Sequence, residues 1–181
     1  MKVIETPLKD CYIVEPTIIY DERGYFFEKY NEKLFEQLTG MNGHFVQDNI
    51  SKSSYGVLRG LHLQKGDHGQ AKLVSCLEGK VLDVAVDLRR DSTTFGKWFS
   101  VELTAENRRQ LYVPRGFGHG FSVLSETAVF SYKCDNFYHR ESEGSVLWSD
   151  EDLAIDWQLP ADDVILSEKD KISPRFKEGN F

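Results

Sequence analysis

Three side chains that can do chemistry lie on separate apolar runs: His62 in Val57 to Gln64, Lys72 in Ala71 to Glu78 and Tyr132 in Ala128 to Phe137. An imidazole titrates near neutral pH and can take a proton, an ammonium can meet a developing oxyanion, and a phenol holds its proton until something draws it off. Side chains alternate along extended backbone. Gly60, His62 and Gln64 therefore share one face, Lys72, Val74 and Cys76 another, and Phe130, Tyr132 and Cys134 a third. Turned into one barrel, these faces would bring three polar groups together in an apolar cup. Asp83 sits in the apolar run Val81 to Leu88, where a lone carboxylate is costly, and His119 is the partner expected for it. Pro114-Arg115-Gly116-Phe117-Gly118-His119-Gly120 reads as a turn whose glycines let backbone pass close to a neighbour before an imidazole is delivered.

The elements that must hold these groups are strands. Tyr12 to Val14, Thr17 to Tyr20, Tyr25 to Lys29, Phe45 to Ser51, Val57 to Gln64, Ala71 to Glu78, Lys80 to Leu88, Lys97 to Leu103, Gln110 to Val113, Gly120 to Leu124 and Ala128 to Phe137 are short runs rich in Val, Ile, Phe and Tyr. Gly, Pro, Asn and Asp punctuate them at roughly 8 to 12 residues, the pattern of an all-β sandwich or barrel. The best helix signal is Asn31 to Gly40, with a capping Asn, apolar Leu34, Phe35 and Leu38, and a terminating Gly. Short turns are expected at Thr104 to Arg109 and around Ser149 to Leu153. From about Ser149 the tail changes character and is expected to pack outside the main β unit.

With 181 residues and no linker, the expectation is a single domain spanning 1–181. Lys plus Arg number 22 and Asp plus Glu 29, a net charge of −7, which lacks the cationic footprint of nucleic-acid binding but leaves room for a local basic pocket. No apolar run approaches the ~20 residues that span a bilayer, and the start, Met1-Lys2-Val3-Ile4-Glu5, has no long apolar region. A soluble, cytoplasmic protein with no membrane or nucleic-acid partner is expected. Cys11, Cys76 and Cys134 are an odd count without paired spacing, which suits reduced thiols.

The run ending in His119 also carries P-x-G-x-x-H, the second signature of the cupin superfamily, a double-stranded β-helix of jelly-roll type. The first signature should lie about fifty residues upstream, where Gly56 to Gln64 stands, but its H-x-H is here His62-x-Gln64, and the Glu expected soon after is absent from Lys65 to Gln70. A divalent metal needs three or four convergent donors, so no metal is expected.

Arg23-Gly24-x-Phe26-Phe27-Glu28, Phe45-Val46-Gln47-Asp48-Asn49, Val57 to His62, Lys80 to Asp87, Thr94 to Trp98, Gly118 to Phe121 and Ser167-Glu168-Lys169-Asp170 occur in order over nearly the whole chain. Together they resemble the dTDP-4-dehydrorhamnose 3,5-epimerase family. The resemblance implies a metal-free cupin jelly roll with a few short peripheral helices. It also implies a substrate that is a dTDP-linked 4-keto-6-deoxyhexose, whose ketone acidifies the hydrogens on C3 and C5, and chemistry that needs no cofactor.

By the same resemblance, His62 is the general base and Asp170 its carboxylate partner. Lys72 meets the O4 oxyanion, and Tyr132 is the acid on the opposite face, expected to be activated by a nearby cation. Tyr138 stacks on the thymine ring, Arg23 and Arg59 hold phosphates, and Lys169 is a further contact. Phe26, Glu28, Gln47, Asp48, Asn49, His119 and Glu143 fall at positions that line the nucleotide or sugar pocket. Arg59 and His62 have opposite parity in an ideal strand, so a bulge at Gly60, or an approach by Arg59 from the rim, is needed for both to reach one ligand. The family implies a homodimer in which N-terminal strands contribute to the partner, with Arg23 and Phe26 reaching a neighbouring pocket. The alternatives are an epimerase acting on one carbon, or a sugar-nucleotide binding cupin without catalysis.

Overall fold

The computed structural model describes residues 1–181. Thirteen strands and two helices follow in chain order: β1 Lys2–Glu5, β2 Tyr12–Glu15, β3 Ile18–Asp21, β4 Gly24–Phe27, α1 Glu32–Thr39, β5 Gln47–Ser54, β6 Leu58–Gln64, β7 Lys72–Glu78, β8 Lys80–Asp87, β9 Trp98–Thr104, β10 Gln110–Val113, β11 Phe117–Val123, β12 Thr127–Cys134, β13 Glu143–Ser145 and α2 Glu168–Lys171. A six-stranded sheet runs β1-β2-β10-β7-β12-β5 and a five-stranded sheet β13-β6-β11-β8-β9, with β3 and β4 forming a separate hairpin. All pairings within them are antiparallel. This is the all-β architecture expected from the strand spacing, arranged as the jelly roll that the resemblance implies.

The two sheets face each other across one apolar layer. Val74, Cys76, Leu111, Val113 and Phe130 of the six-stranded sheet meet Val81, Ala85, Leu103, Phe121 and Val123 of the five-stranded one. The outer face of the five-stranded sheet is covered too, which explains why β8 is buried at every residue after Lys80. The tail packs Val146, Leu153 and Trp157 on Leu61, Leu63, Leu82 and Val84. On the other sheet α1 seats Phe35 against Val14, Leu73 and Tyr112. That helix starts at the Asn31 side chain, which accepts from the Leu34 N–H, and ends at Gly40 in the left-handed region.

One reading changes. Only Pro114 to Gly116 forms the turn; from Phe117 the segment is strand, paired on one side with β6 and on the other with β8. The stretches Thr104 to Arg109 and Ser149 to Leu153 make the short turns expected, with side chains taking the backbone donors: Thr104 Oγ1 accepts from Asn107 N, and Asp150 Oδ1 from Leu153 N.

The bulge arises where parity required it. His119 pairs with His62, but Phe121 pairs with Arg59, so β6 carries one residue more than β11 over this stretch. Gly60 occupies the irregularity at φ +133°, and a Cβ there would lie 2.5 Å from the Cα of Gly120, so only glycine fits. The consequence is functional: Arg59 and His62 line the same hollow.

Candidate active site

The site opens between the two sheets and continues between the start of β6 and the tail. Three hollows of about 180, 310 and 320 Å³ share His62 in their walls. Gln47, Asn49, Lys72, Tyr132, Tyr138, Glu143 and Lys169 line the first, Asn49, Arg59, Lys72, His119 and Tyr132 the second, and Arg59, Lys169 and Asp170 the third. His62, His119 and Arg59 rise from the five-stranded sheet, whereas Lys72, Tyr132, Gln47 and Asn49 come from the six-stranded one. A ligand lying between the sheets has an imidazole on one side and a phenol on the other.

Asp170 reaches this site from 108 residues downstream. Ile165 bridges in parallel to Val57 and its backbone bonds to Gly56 and Leu58, which lays the tail along the start of β6. The four-residue helix α2 follows, capped by Ser167, and its buried Asp170 places Oδ1 2.5 Å from His62 Nε2. Ser167 Oγ donates to the other carboxylate oxygen at 2.8 Å. Burial pushes the Asp170 carboxyl up, but the hydrogen bonds from His62 and Ser167 and the charge of Lys169 outweigh it and hold it below the ordinary carboxylate range.

A carboxyl held low in the folded state adds stability above the unfolded value of ~3.9, and that stability is lost as pH falls through the folded value. Urea unfolding from pH 6 to pH 2 is therefore expected to cost the wild-type chain more stability than Asp170→Asn. Parallel curves would show that the pair does not stabilise the fold.

Lys72 is half-buried, and its ammonium lies 5.9 Å from the centre of the Tyr132 ring. Burial pushes the ammonium below its ordinary range, opposed by the field of Cys134 and of Asp83. Burial likewise pushes the Tyr132 phenol up and Cys134 adds to this, with Arg59 pulling the other way. The cation near the phenol is thus Arg59 as well as Lys72, and burial outweighs its activating effect. Behind these groups His119 Nε2 lies 2.9 Å from Asp83 Oδ2, the pair anticipated from the apolar run. Burial pushes Asp83 up and His119 down, each toward its neutral form, while their mutual attraction opposes both shifts.

Four expected residues lie outside the cavity. Asp48 is on the opposite face of β5 from Gln47 and Asn49 and pairs with Lys133 at 2.5 Å. Arg23 is exposed at the hairpin end and pairs with Asp21 at 2.5 Å; Phe26 is 68% exposed; Glu28 accepts from Asn31 Nδ2 at 3.2 Å. The cavity also holds residues not expected as site residues: Gln70, Ser51 and Gln64, the last on the His62 face as alternation placed it. Gln64 is buried and its Oε1 accepts the His139 N–H at 3.1 Å. The residue standing where a metal-binding cupin has a ligand is here a strut for the loop over the cavity, a use that no local sequence pattern announces.

A sequence model described as dTDP-4-dehydrorhamnose 3,5-epimerase matches residues 5–178. The chain belongs to the dTDP-4-dehydrorhamnose 3,5-epimerase family. It is 54% identical over 177 residues to the family's enzyme from Salmonella typhimurium, covering 96% of this chain and 94% of that one. Among solved structures of the family, the epimerase of Elizabethkingia anophelis superposes with a TM-score of 0.98 at 74% identity, covering 100% of this chain and 99% of that chain. The Legionella pneumophila enzyme in complex with dTDP-4-keto-L-rhamnose superposes at 0.93 with 50% identity, covering 97% and 93%. The jelly roll described above is therefore the family's cupin fold.

Proposed function

We propose that this chain inverts C3 and C5 of dTDP-4-dehydro-6-deoxy-D-glucose to give dTDP-4-dehydro-L-rhamnose. The observation that carries the reading is the opposed placement of His62 and Tyr132 on facing sheets around one cavity, with the Lys72 ammonium beside the phenol. His62 takes the proton from the carbon next to the ketone, and Asp170 orients its ring and steadies the imidazolium. The electron pair moves onto O4, where Lys72 meets the negative charge, in a site where a fixed cation acts more strongly than in water. Tyr132 then returns a proton from the other side, which inverts the centre, and solvent exchange resets both groups. Arg59 and Lys169 supply positive charge for the diphosphate, and Tyr138 a flat surface for the base.

The test is to incubate the purified protein with the 4-keto-6-deoxyglucose nucleotide in D₂O and follow deuterium at both carbons. Uptake and inversion at both are expected. Uptake at one carbon alone would assign a single-carbon epimerase, and uptake at neither a binding protein.

The reading extends to a homodimer. The β3–β4 hairpin stands apart from both sheets and exposes Ile19 and Phe26 at 60% and 68%. Arg23 and Phe26 are exposed and line none of this chain's own site hollows, which supports their use in a partner's. Sedimentation equilibrium giving a monomer would remove this part. A cytoplasmic location is supported by three buried, free thiols and a fold that uses no disulfide. No helix of the structure is long and apolar enough to cross a membrane.

A further inference from the structure

The segment from Asn136 to Ser142 forms an arch that borders the cavity through Tyr138, and its two ends are fastened to the loop that follows β6. At one end Asn136 Nδ2 donates to Asp67 O at 3.1 Å and Gly69 O at 3.4 Å. At the other, Lys65 N donates to Ser142 O at 2.8 Å. Between these points the arch is exposed, with Phe137 65% and Tyr138 51% accessible. Its centre is held by two amide contacts, Tyr138 N to Gln47 Oε1 and His139 N to Gln64 Oε1, both 3.1 Å.

One further contact ties the centre down. The imidazole of His139 lies flat on that of His68, with ring centres 3.9 Å apart and planes 8° from parallel. His68 ends the short 3₁₀ turn Gly66–His68 and is exposed. His139 Nδ1 lies 3.0 Å from Ser142 Oγ, which fixes the ring's rotation. The backbone at His139 is extended, φ −131° and ψ 114°, so the side chains of residues 138 and 139 leave it on opposite sides. Holding the imidazole outward on His68 therefore turns the Tyr138 ring inward, where it lines the cavity.

We propose that His68 is a positioning residue for ligand binding: by stacking on His139 it holds the arch so that Tyr138 covers the nucleobase end of the site. The proposal rests on the reading of the cavity as a dTDP-sugar site. His68 touches no reacting atom in this scheme. It acts through His139 and the alternation of the backbone.

His68→Ala is expected to raise the Kd for dTDP, measured by calorimetry, and the KM for the dTDP-sugar by about three- to tenfold, the range a stacked aromatic pair contributes. The effect on kcat is expected to be smaller than that on KM. His68→Phe keeps a flat ring without the imidazole nitrogens and is expected to restore both constants to within about twofold of wild type. An unchanged Kd in His68→Ala, a fall in kcat larger than the rise in KM, or a Phe variant no better than the Ala variant would each overturn the proposal. Calorimetry with dTDP needs no turnover, so the two readings fail separately: a wild-type chain that binds dTDP without exchanging deuterium removes the catalytic reading and leaves this one standing.

Discussion

Replacing His62 by alanine is expected to stop deuterium uptake at both C3 and C5 and to lower turnover on the order of 10³-fold. The size follows from what is removed. A positioned base contributes roughly 10²- to 10⁴-fold, and here the base also carries its own counter-charge. Asp170 is bonded to His62 at 2.5 Å and is buried, so the imidazolium that forms during the reaction is met by a carboxylate already in place. No second imidazole can substitute without rearrangement: His119 lies opposite His62 in the strand pairing, but it is bound to Asp83 and buried with it.

The alanine variant also strands Asp170, whose remaining side-chain partner is Ser167. A buried carboxylate that loses its strongest partner destabilises the fold, so loss of activity alone would be ambiguous. His62→Asn keeps a polar group toward Asp170 without a titrating ring, and it is expected to remain folded and equally inactive. Exchange at wild-type rate in either variant would overturn the role of His62.

The fold was legible in the chain because jelly-roll strands are short, apolar and separated by turn residues, and their alternation is a local property. Parity alone put Lys72 with Val74 and Cys76, and these do face the space between the sheets. Parity also required an irregularity between Arg59 and His62, and one extra residue in β6 supplies it at Gly60. What escaped was either polar or distant. The three residues of β13 carry no apolar signal and become strand through pairing with β6. Strand β1 is four residues with charged ends at a sheet edge. The segment after Pro114 is rich in glycine and looked like a turn, yet Gly120 is small because Arg59 O would lie 2.7 Å from a Cβ there. Gly116 marks the bend, whereas Gly118 and Gly120 mark close strand packing.

The candidate site divides the same way. Residues on strands β5, β6, β7, β11 and β12 gather as their faces dictate once the bulge at Gly60 is counted, and alternation itself explains why Asp48 lies outside. Asp170 sits on a polar tail segment whose return to His62 depends on a parallel bridge at Val57, a contact without a local signature. Gln64 and His68 serve loops rather than ligands, so a search for donors and bases passes over them.

Tyr132→Phe is expected to separate two events that His62→Ala abolishes together. The variant retains the base on the five-stranded sheet and the Lys72 ammonium, so the enolate still forms and deuterium still enters from the His62 side. What is lost is the proton from the six-stranded sheet. The carbanion is then quenched on the face it came from, which gives labelled substrate of unchanged configuration and a fall in product formation of about 10²-fold or more. The environment of the phenol fits an acid better than a base. Burial pushes Tyr132 above its ordinary range and the nearby Cys134 adds to this, so a free phenolate is costly and the proton is released only to something as basic as an enolate carbon. Arg59 pulls in the other direction, which lowers the cost of the phenolate left behind after transfer. Proton NMR in D₂O reads both events in one experiment, as loss of the C3 and C5 signals against growth of the product's. If exchange falls in step with inversion, Tyr132 is needed to form the enolate and not to quench it. If product accumulates at the wild-type rate, the proton comes from elsewhere, and the assignment of the two sheets to the two faces of the sugar fails with it.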